Sequence, residues 1–340
     1  MPPPLVYSEL LGHLVRSEPW LDQGRSSYAR AGDALSSSDF ETAEAYGRIT
    51  VQEAQEAYDL FAAWLIEIPR ILTANGVPPE AVDQRLGAIA AEIGEHQLDA
   101  GWRAYRGLVD DFAEACQGSD SGLAAVQLER ARSAWQLHHD RACDTVCALF
   151  DFAATTLGEE FVGTLWDSLL AGMYERSASV YDPDNLPWDQ SVQRLLLDIF
   201  EATRGHLAGA DRDGSFAISE EDDRWVITFA PCGSGGRTYE SSSAAELSAD
   251  SESARRPSVT TGEHDWAWNT PGVCLYCTHC CQLQQRAPIK RLGFPLRVID
   301  PPTQGQSKPL CTWSIYKDPA KVPDDAYTKV GFDPPRRDPR

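Results

Sequence analysis

Cys274-Leu-Tyr-Cys277-Thr-His-Cys280-Cys281 puts four cysteines and a histidine into eight consecutive residues. Thiolates in a C-x-x-C frame can close on one metal ion, because a tight turn carries both sulfurs to one side of the backbone. Two such frames overlap here, so an ordinary zinc knuckle uses Cys274 with Cys277, or Cys277 with Cys280, and hardly all three. Cys232, on a glycine-rich turn, and Cys311, ahead of an apolar run, are the distant partners that would complete a shell. The expected ligands are Cys232, Cys274, Cys277 and Cys280, with Cys281, Cys311, His264 and His279 as substitutes. Zinc is the expected ion. An iron–sulfur cluster is the alternative, although the run lacks the fourth spaced cysteine followed by proline. A C-x-x-C pair acting directly as a thiol oxidoreductase is a third chemistry.

Three further groups point to a site. Cys232-Gly-Ser-Gly-Gly-Arg237 follows a strand-like run, and its backbone N–H groups could converge on an anion with Arg237 adding a fork of donors. It is neither a dinucleotide fingerprint nor a Walker sequence, so a hairpin turn is the plainer reading. His139, Cys143 and Cys147 recur every fourth residue and share one helix face, where His139 could serve as a base. Cysteines on such a face are more often small core residues. His264-Asp265 is a candidate acid–base pair, with Asp265 fixing the imidazole tautomer. Around the thiols lie Trp266, Trp268, Tyr276, Phe294, Trp313 and Tyr316, with Asn269, Arg286, Lys290 and Arg297 among them. Trp268, Arg237 and Arg286 are the expected substrate contacts, and a small anionic ligand is the expected substrate.

The elements that position these groups fall in two parts, an α+β arrangement. Residues 1–208 read as a helical bundle, and 209–340 as a smaller cysteine-rich β domain that a metal would stabilise. Val51 to Leu72 carries an apolar stripe, with a kink or break expected at Pro69. Further helices are expected at Glu80–Glu95, Ala100–Cys116, Leu123–Leu157, Glu159–Ser177 and Gln190–Thr203. A faint repeat relates the hairpin around Gly76 to that around Gly158, which suggests a duplicated helical hairpin. Ser215–Ile218, Trp225–Phe229, Leu296–Ile299 and Trp313–Tyr316 read as strands, and the serine-rich stretch 240–263 as a mobile loop.

Composition narrows the function. The net charge is −21, yet Thr270 to Arg340 holds 11 Lys and Arg against 6 Asp, or +5, leaving −26 on the remainder. An acidic body of this strength disfavours nucleic acid. The basic segment is expected to dock on the acidic part or to attract an anion. No apolar run is long enough to cross a bilayer, and Met1-Pro-Pro-Pro-Leu5 does not read as a signal peptide, so a cytoplasmic protein is expected. Nine cysteines in a reducing compartment are thiols or ligands before they are disulfides. The expected function is a zinc-dependent enzyme acting on a small polar or anionic metabolite where the two parts meet. A non-catalytic zinc-stapled protein that binds another protein through its acidic helices is the alternative from a different class.

Overall fold

The computed structural model describes residues 3–94, 97–239, 258–306 and 310–336. An N-terminal hairpin, β1 (Leu5–Ser8) and β2 (His13–Arg16), leads to seven helices. These are α1 (Ser27–Ser36), α2 (Phe40–Ala74), α3 (Pro79–Ile93), α4 (Leu98–Gln117), α5 (Ser121–Leu157), α6 (Phe161–Val180) and α7 (Trp188–Gly205). Their starts are written in the sequence: Asp39 and Asp120 cap α2 and α5 by accepting from the backbone N–H groups of Thr42 (3.1 Å) and Leu123 (2.9 Å). Their stops are glycines at positive φ, Gly76 (φ +93°) and Gly158 (φ +91°), where a Cβ would be strained.

Pro69 neither breaks nor ends α2, which runs through it to Ala74. Ile68 and Leu72, on either side of it, are fully buried. Tertiary packing there outweighs the lost backbone hydrogen bond.

Four antiparallel strands form the sheet in the order β3 (Ala217–Glu220), β4 (Arg224–Phe229), β6 (Cys311–Tyr316), β5 (Val298–Asp300). In β4, Trp225, Ile227 and Phe229 alternate inward and pack on α7 through Leu195, Leu196, Ile199 and Phe200. A second apolar core lies within the bundle and takes in Trp266, Leu275, Tyr276, Leu283 and Ala287 from the C-terminal third. Both cores thus cut across residue 208: α7 packs on α2 with one face and on the sheet with another, while residues 266–287 pack with the bundle.

The largest departure from expectation is at the thiols. Residues 278–292 form one helix, α8, built from Thr278–Cys281, a π turn at Gln282–Arg286, and Ala287–Leu292. Helical geometry separates the overlapping C-x-x-C frames. Cys281 turns into the sheet core beside Asp265, and Cys280 turns the other way. Of the serine-rich stretch, residues 240–257 lie outside the described residues. Its end is packed rather than loose: Val259 pairs with Cys274 across a β-bridge, and Thr260 is buried.

Candidate functional site

Between the bundle and the C-terminal third lies a cavity of about 100 Å³. Its wall includes Glu56, Leu60 and Trp64 from α2, His206 from the end of α7, Cys232-Gly-Ser234 from the turn after β4, and Tyr276, His279 and Cys280 from the start of α8. Arg297 and Trp313 close it from the sheet side. The size suits a compact small molecule. A wider cleft of about 720 Å³ between α1 and α5 is lined by Tyr28, Glu129, Arg132 and Asp213 but by no thiol or imidazole.

Arg297 is 9% exposed, and its guanidinium makes no hydrogen bond or ion pair with any described residue. The guanidinium sits over the Trp313 ring, 5.1 Å from its centre. Burial lowers its pKa, opposed by the fields of Tyr181, Asp198, Glu56 and Cys280. Asp198 itself is taken up by the Tyr181 hydroxyl, which donates to it at 2.6 Å.

Two imidazoles face the cavity, and each has its outward nitrogen set by a partner behind it. The His279 Nδ1–H donates to the carbonyl of Tyr276 (2.6 Å), which leaves the Nε2 lone pair 3.3 Å from the Cys280 thiol. Burial holds His279 neutral, with a pKa pushed down to about 4, and raises the Cys280 thiol. They are a neutral thiol and a neutral base.

His206 is the cavity end of a longer chain. His139, fully buried on α5, donates Nδ1–H to Asp140 (2.9 Å), so its Nε2 must accept. The Ser234 hydroxyl lies 3.1 Å from that Nε2 and 2.8 Å from Nδ1 of His206, and the two imidazole nitrogens are 3.1 Å apart. His139 Nε2 receives its proton either from Ser234 or from His206. If Ser234 is the donor, its oxygen accepts from His206. In both arrangements His206 carries its proton on Nδ1, and Nε2 presents a lone pair to the cavity. Burial lowers the pKa of both histidines, the neighbouring imidazole adding to it at His206. Asp140 is held by Arg212 (2.7 Å) and lies 3.5 Å from Arg237. Its carboxyl is ionised well below the usual range, as the hydrogen bond from His139 and the two guanidiniums favour the charged form over the cost of burial.

The Cys232–Gly236 turn places Ser234 by close approach. A Cβ on Gly233 would lie 1.6 Å from the carbonyl oxygen of His206, and one on Gly235 would lie 2.4 Å from the Cys277 sulfur. Backbone N–H groups of Ser234 and Gly236 point at the Cys232 sulfur, so the converging donors serve the protein's own thiol.

The expected residues are therefore redistributed. Cys232 and Cys280 line the cavity, whereas Cys274 lies beside Cys147 of α5 and Cys277 neighbours Cys274, Cys232 and Cys280. There Cys147 neighbours both Cys143 and Cys274, and Cys274 neighbours Cys277. Among the described residues no group of three or more His, Cys, Asp or Glu side chains is arranged to hold a metal ion. His139 stands one step behind the cavity rather than on it. His264 is not paired with Asp265: its Nε2 meets Glu159 (2.5 Å) and Nδ1 meets Glu160 (3.0 Å) at the start of α6. Asp265 pairs instead with Arg286 (2.5 Å), which also donates to the carbonyl of Val330 (2.7 Å). Arg237 is taken by Asp144 and Asp140, and Trp268 donates to Gln285 in the sheet core. His206 and Glu56 carried no motif that would single them out, and Ser234 lay in the glycine-rich turn that was read for its backbone N–H groups and not for its hydroxyl. Only the basic residues among aromatics pointed to Arg297. No family model, curated protein or solved structure matches the chain.

Proposed function

We propose that the protein is an enzyme acting on a small anionic metabolite in the cavity between the helical bundle and the C-terminal third. The observation that carries this reading is the buried Arg297 at the cavity wall, whose Nε has no hydrogen-bond partner and which no described carboxylate pairs directly. A buried charge costs several kcal/mol unless something compensates it. An anionic substrate group forking onto Arg297 would supply the missing partner. His206 is the proton-transfer group, with Nε2 towards the substrate and Ser234, His139 and Asp140 stabilising the charge it takes up. Trp64, Tyr276 and Trp313 form the apolar wall that strengthens both interactions by excluding water.

A zinc ion held by Cys143, Cys147, Cys274 and Cys277 is a second reading, favoured by the proximity of Cys147 to Cys143 and Cys274 and of Cys274 to Cys277. In that reading the metal joins α5 to the turn before α8 and holds the cavity in shape, at a distance from the substrate. The sulfurs would have to rotate towards a common centre to close a tetrahedral shell.

Titration of the protein with acetate, pyruvate, oxalate and inorganic phosphate, read by calorimetry and thermal shift, tests the main reading. At least one anion is expected to bind wild type and to lose about ten- to a hundredfold in affinity in Arg297→Gln, the equivalent of about 1.5–3 kcal/mol. Equal affinity in wild type and variant would sink the assignment.

A further inference from the structure

Cys280 is the one cavity-lining thiol that lies at hydrogen-bond distance from an imidazole whose other nitrogen is already committed. The backbone carbonyl of Tyr276 fixes Nδ1–H of His279, so the lone pair of Nε2 can only point at what stands before it, the sulfur 3.3 Å away. The ring itself is braced edge-on by Trp64 (5.7 Å between centres) and by Tyr276 (4.9 Å). Cys232 lines the same cavity, but its sulfur is turned onto the N–H groups of its own turn. Ser234 is engaged by His139, His206 and Tyr276 at once and is almost fully buried, so its hydroxyl relays protons and does not attack.

We infer that Cys280, with His279 as its base, is the covalent nucleophile of the cavity, and that the substrate is an acyl compound, an amide or ester, carrying a carboxylate that Arg297 holds. This rests on the anion-binding reading of Arg297 and adds a reaction class to it. As the sulfur bonds to the acyl carbon, the thiol proton passes to Nε2 of His279. The same proton goes to the leaving amine or alcohol as its bond to the acyl carbon breaks, leaving a thioester on Cys280. A water molecule that gives its proton to Nε2 of His206 then attacks the thioester. The carbon–sulfur bond breaks, the acid departs, and the thiolate recovers a proton from His206. Water and the acyl compound are consumed, and no oxidant or reductant is needed. The starting pair is neutral because burial disfavours a thiolate–imidazolium pair, so the thiol is deprotonated during attack and not before it.

Iodoacetate and iodoacetamide test this on the full chain, since they place the same leaving group beside a charged or a neutral head. Each reagent is applied at substoichiometric dose and the alkylated cysteine is identified by peptide mass. Cys280 is expected to react first among the nine thiols. Its rate ratio of iodoacetate to iodoacetamide is expected to exceed that of glutathione by at least tenfold, and Arg297→Gln is expected to abolish that excess. With iodoacetamide, the wild-type rate should stay level between pH 6 and 8, because a neutral base activates the thiol. In His279→Gln it should rise about tenfold per pH unit, as free thiolate forms. Alkylation of any other cysteine ahead of Cys280, or a wild-type rate that climbs tenfold per unit, overturns the inference. Selective, level-pH labelling of Cys280 without a preference for iodoacetate supports the nucleophile and overturns the anion site instead.

Discussion

Two buried guanidiniums in this protein face opposite situations, and the contrast separates a binding residue from a structural one. Arg204 bonds Glu53 across the α2–α7 contact and donates to the carbonyl of Gln23 (3.0 Å), and Ser27 donates to the same carboxylate (2.8 Å). Each member of the pair is about 3% exposed. Removing one member strands the other, so Arg204→Met is expected to cost about 3–5 kcal/mol in denaturant unfolding. Arg297 holds no carboxylate by a direct bond, although the fields of Asp198 and Glu56 reach it. Arg297→Met is expected to unfold at the wild-type denaturant concentration or above it, because a buried charge without a partner is replaced by an apolar side chain of similar length. A loss of more than about 1 kcal/mol would mean that Arg297 supports the fold, and the anion reading would lose its basis. Sequence alone favoured Arg237 and Arg286 as substrate contacts and left Arg297 among the basic residues near aromatics and thiols. Only the partners tell them apart, and Asp140, Asp144 and Asp265 lie too far along the chain, or on the wrong element, for spacing to assign them.

The site depends on three elements meeting with almost no clearance: the end of α7, the Cys232–Gly236 turn and the start of α8. Gly233→Ala drives a methyl group into the carbonyl of His206 and is expected to cost about 1–3 kcal/mol, the usual range for overpacking, and to part Ser234 from His206. Denaturant unfolding reads the first effect, and loss of the anion-induced thermal shift in protein that is still folded reads the second. Full stability with an intact shift would show that the turn has room to move. The thiols make an element-scale claim as well. If they hold zinc, elemental analysis should find about one ion per chain, and Cys143→Ser or Cys147→Ser should lower that as far as Cys277→Ser does. Zinc that survives Cys143→Ser would move the metal away from α5. The helices from α2 to α7 were legible in the sequence, because glycine stops and apolar stripes are local signals that agree with each other, whereas α1 was not read. The helix at 278–292 was not, since four cysteines, two prolines nearby and a short apolar pattern look like a metal turn until the bundle supplies a surface for Tyr276, Leu283 and Ala287. The i, i+4 thiols of α5 and the C-x-x-C were each visible. Their meeting is a long-range contact that no local pattern carries.

At the scale of the molecule, the two parts are joined by apolar packing and by buried imidazoles more than by opposite charge. Among the cations of the C-terminal segment, Arg291 reaches Glu175 of the bundle, whereas Arg286 and Lys317 pair with Asp265 and Glu220 close to the sheet. His139, His206 and His279 all lie where the parts meet, and burial lowers the pKa of each. A histidine whose folded pKa is depressed takes up its proton more readily when the chain is unfolded. Its stabilising contribution is complete above the unfolded value near 6.5 and is lost as pH falls towards the folded value. For His279 the window runs from about 6.5 down to about 4, and on the order of 2 kcal/mol should be gone by pH 4.5 from this residue alone. Asp140 acts in the same direction but lower, losing its contribution only below the unfolded carboxylate value near 4. Glu201 acts in the opposite sense, since burial raises its carboxyl to about 8, so urea unfolding between pH 6.5 and 4.5 reads the imidazole as the difference between wild type and His279→Gln. In His279→Gln the slope over that interval should be shallower by close to one proton, while the remaining slope from His139 and His206 persists. Parallel profiles for wild type and His279→Gln between pH 7 and 5 would mean that this imidazole is solvated or already charged in the native state, and the neutral base beside Cys280 would not be there.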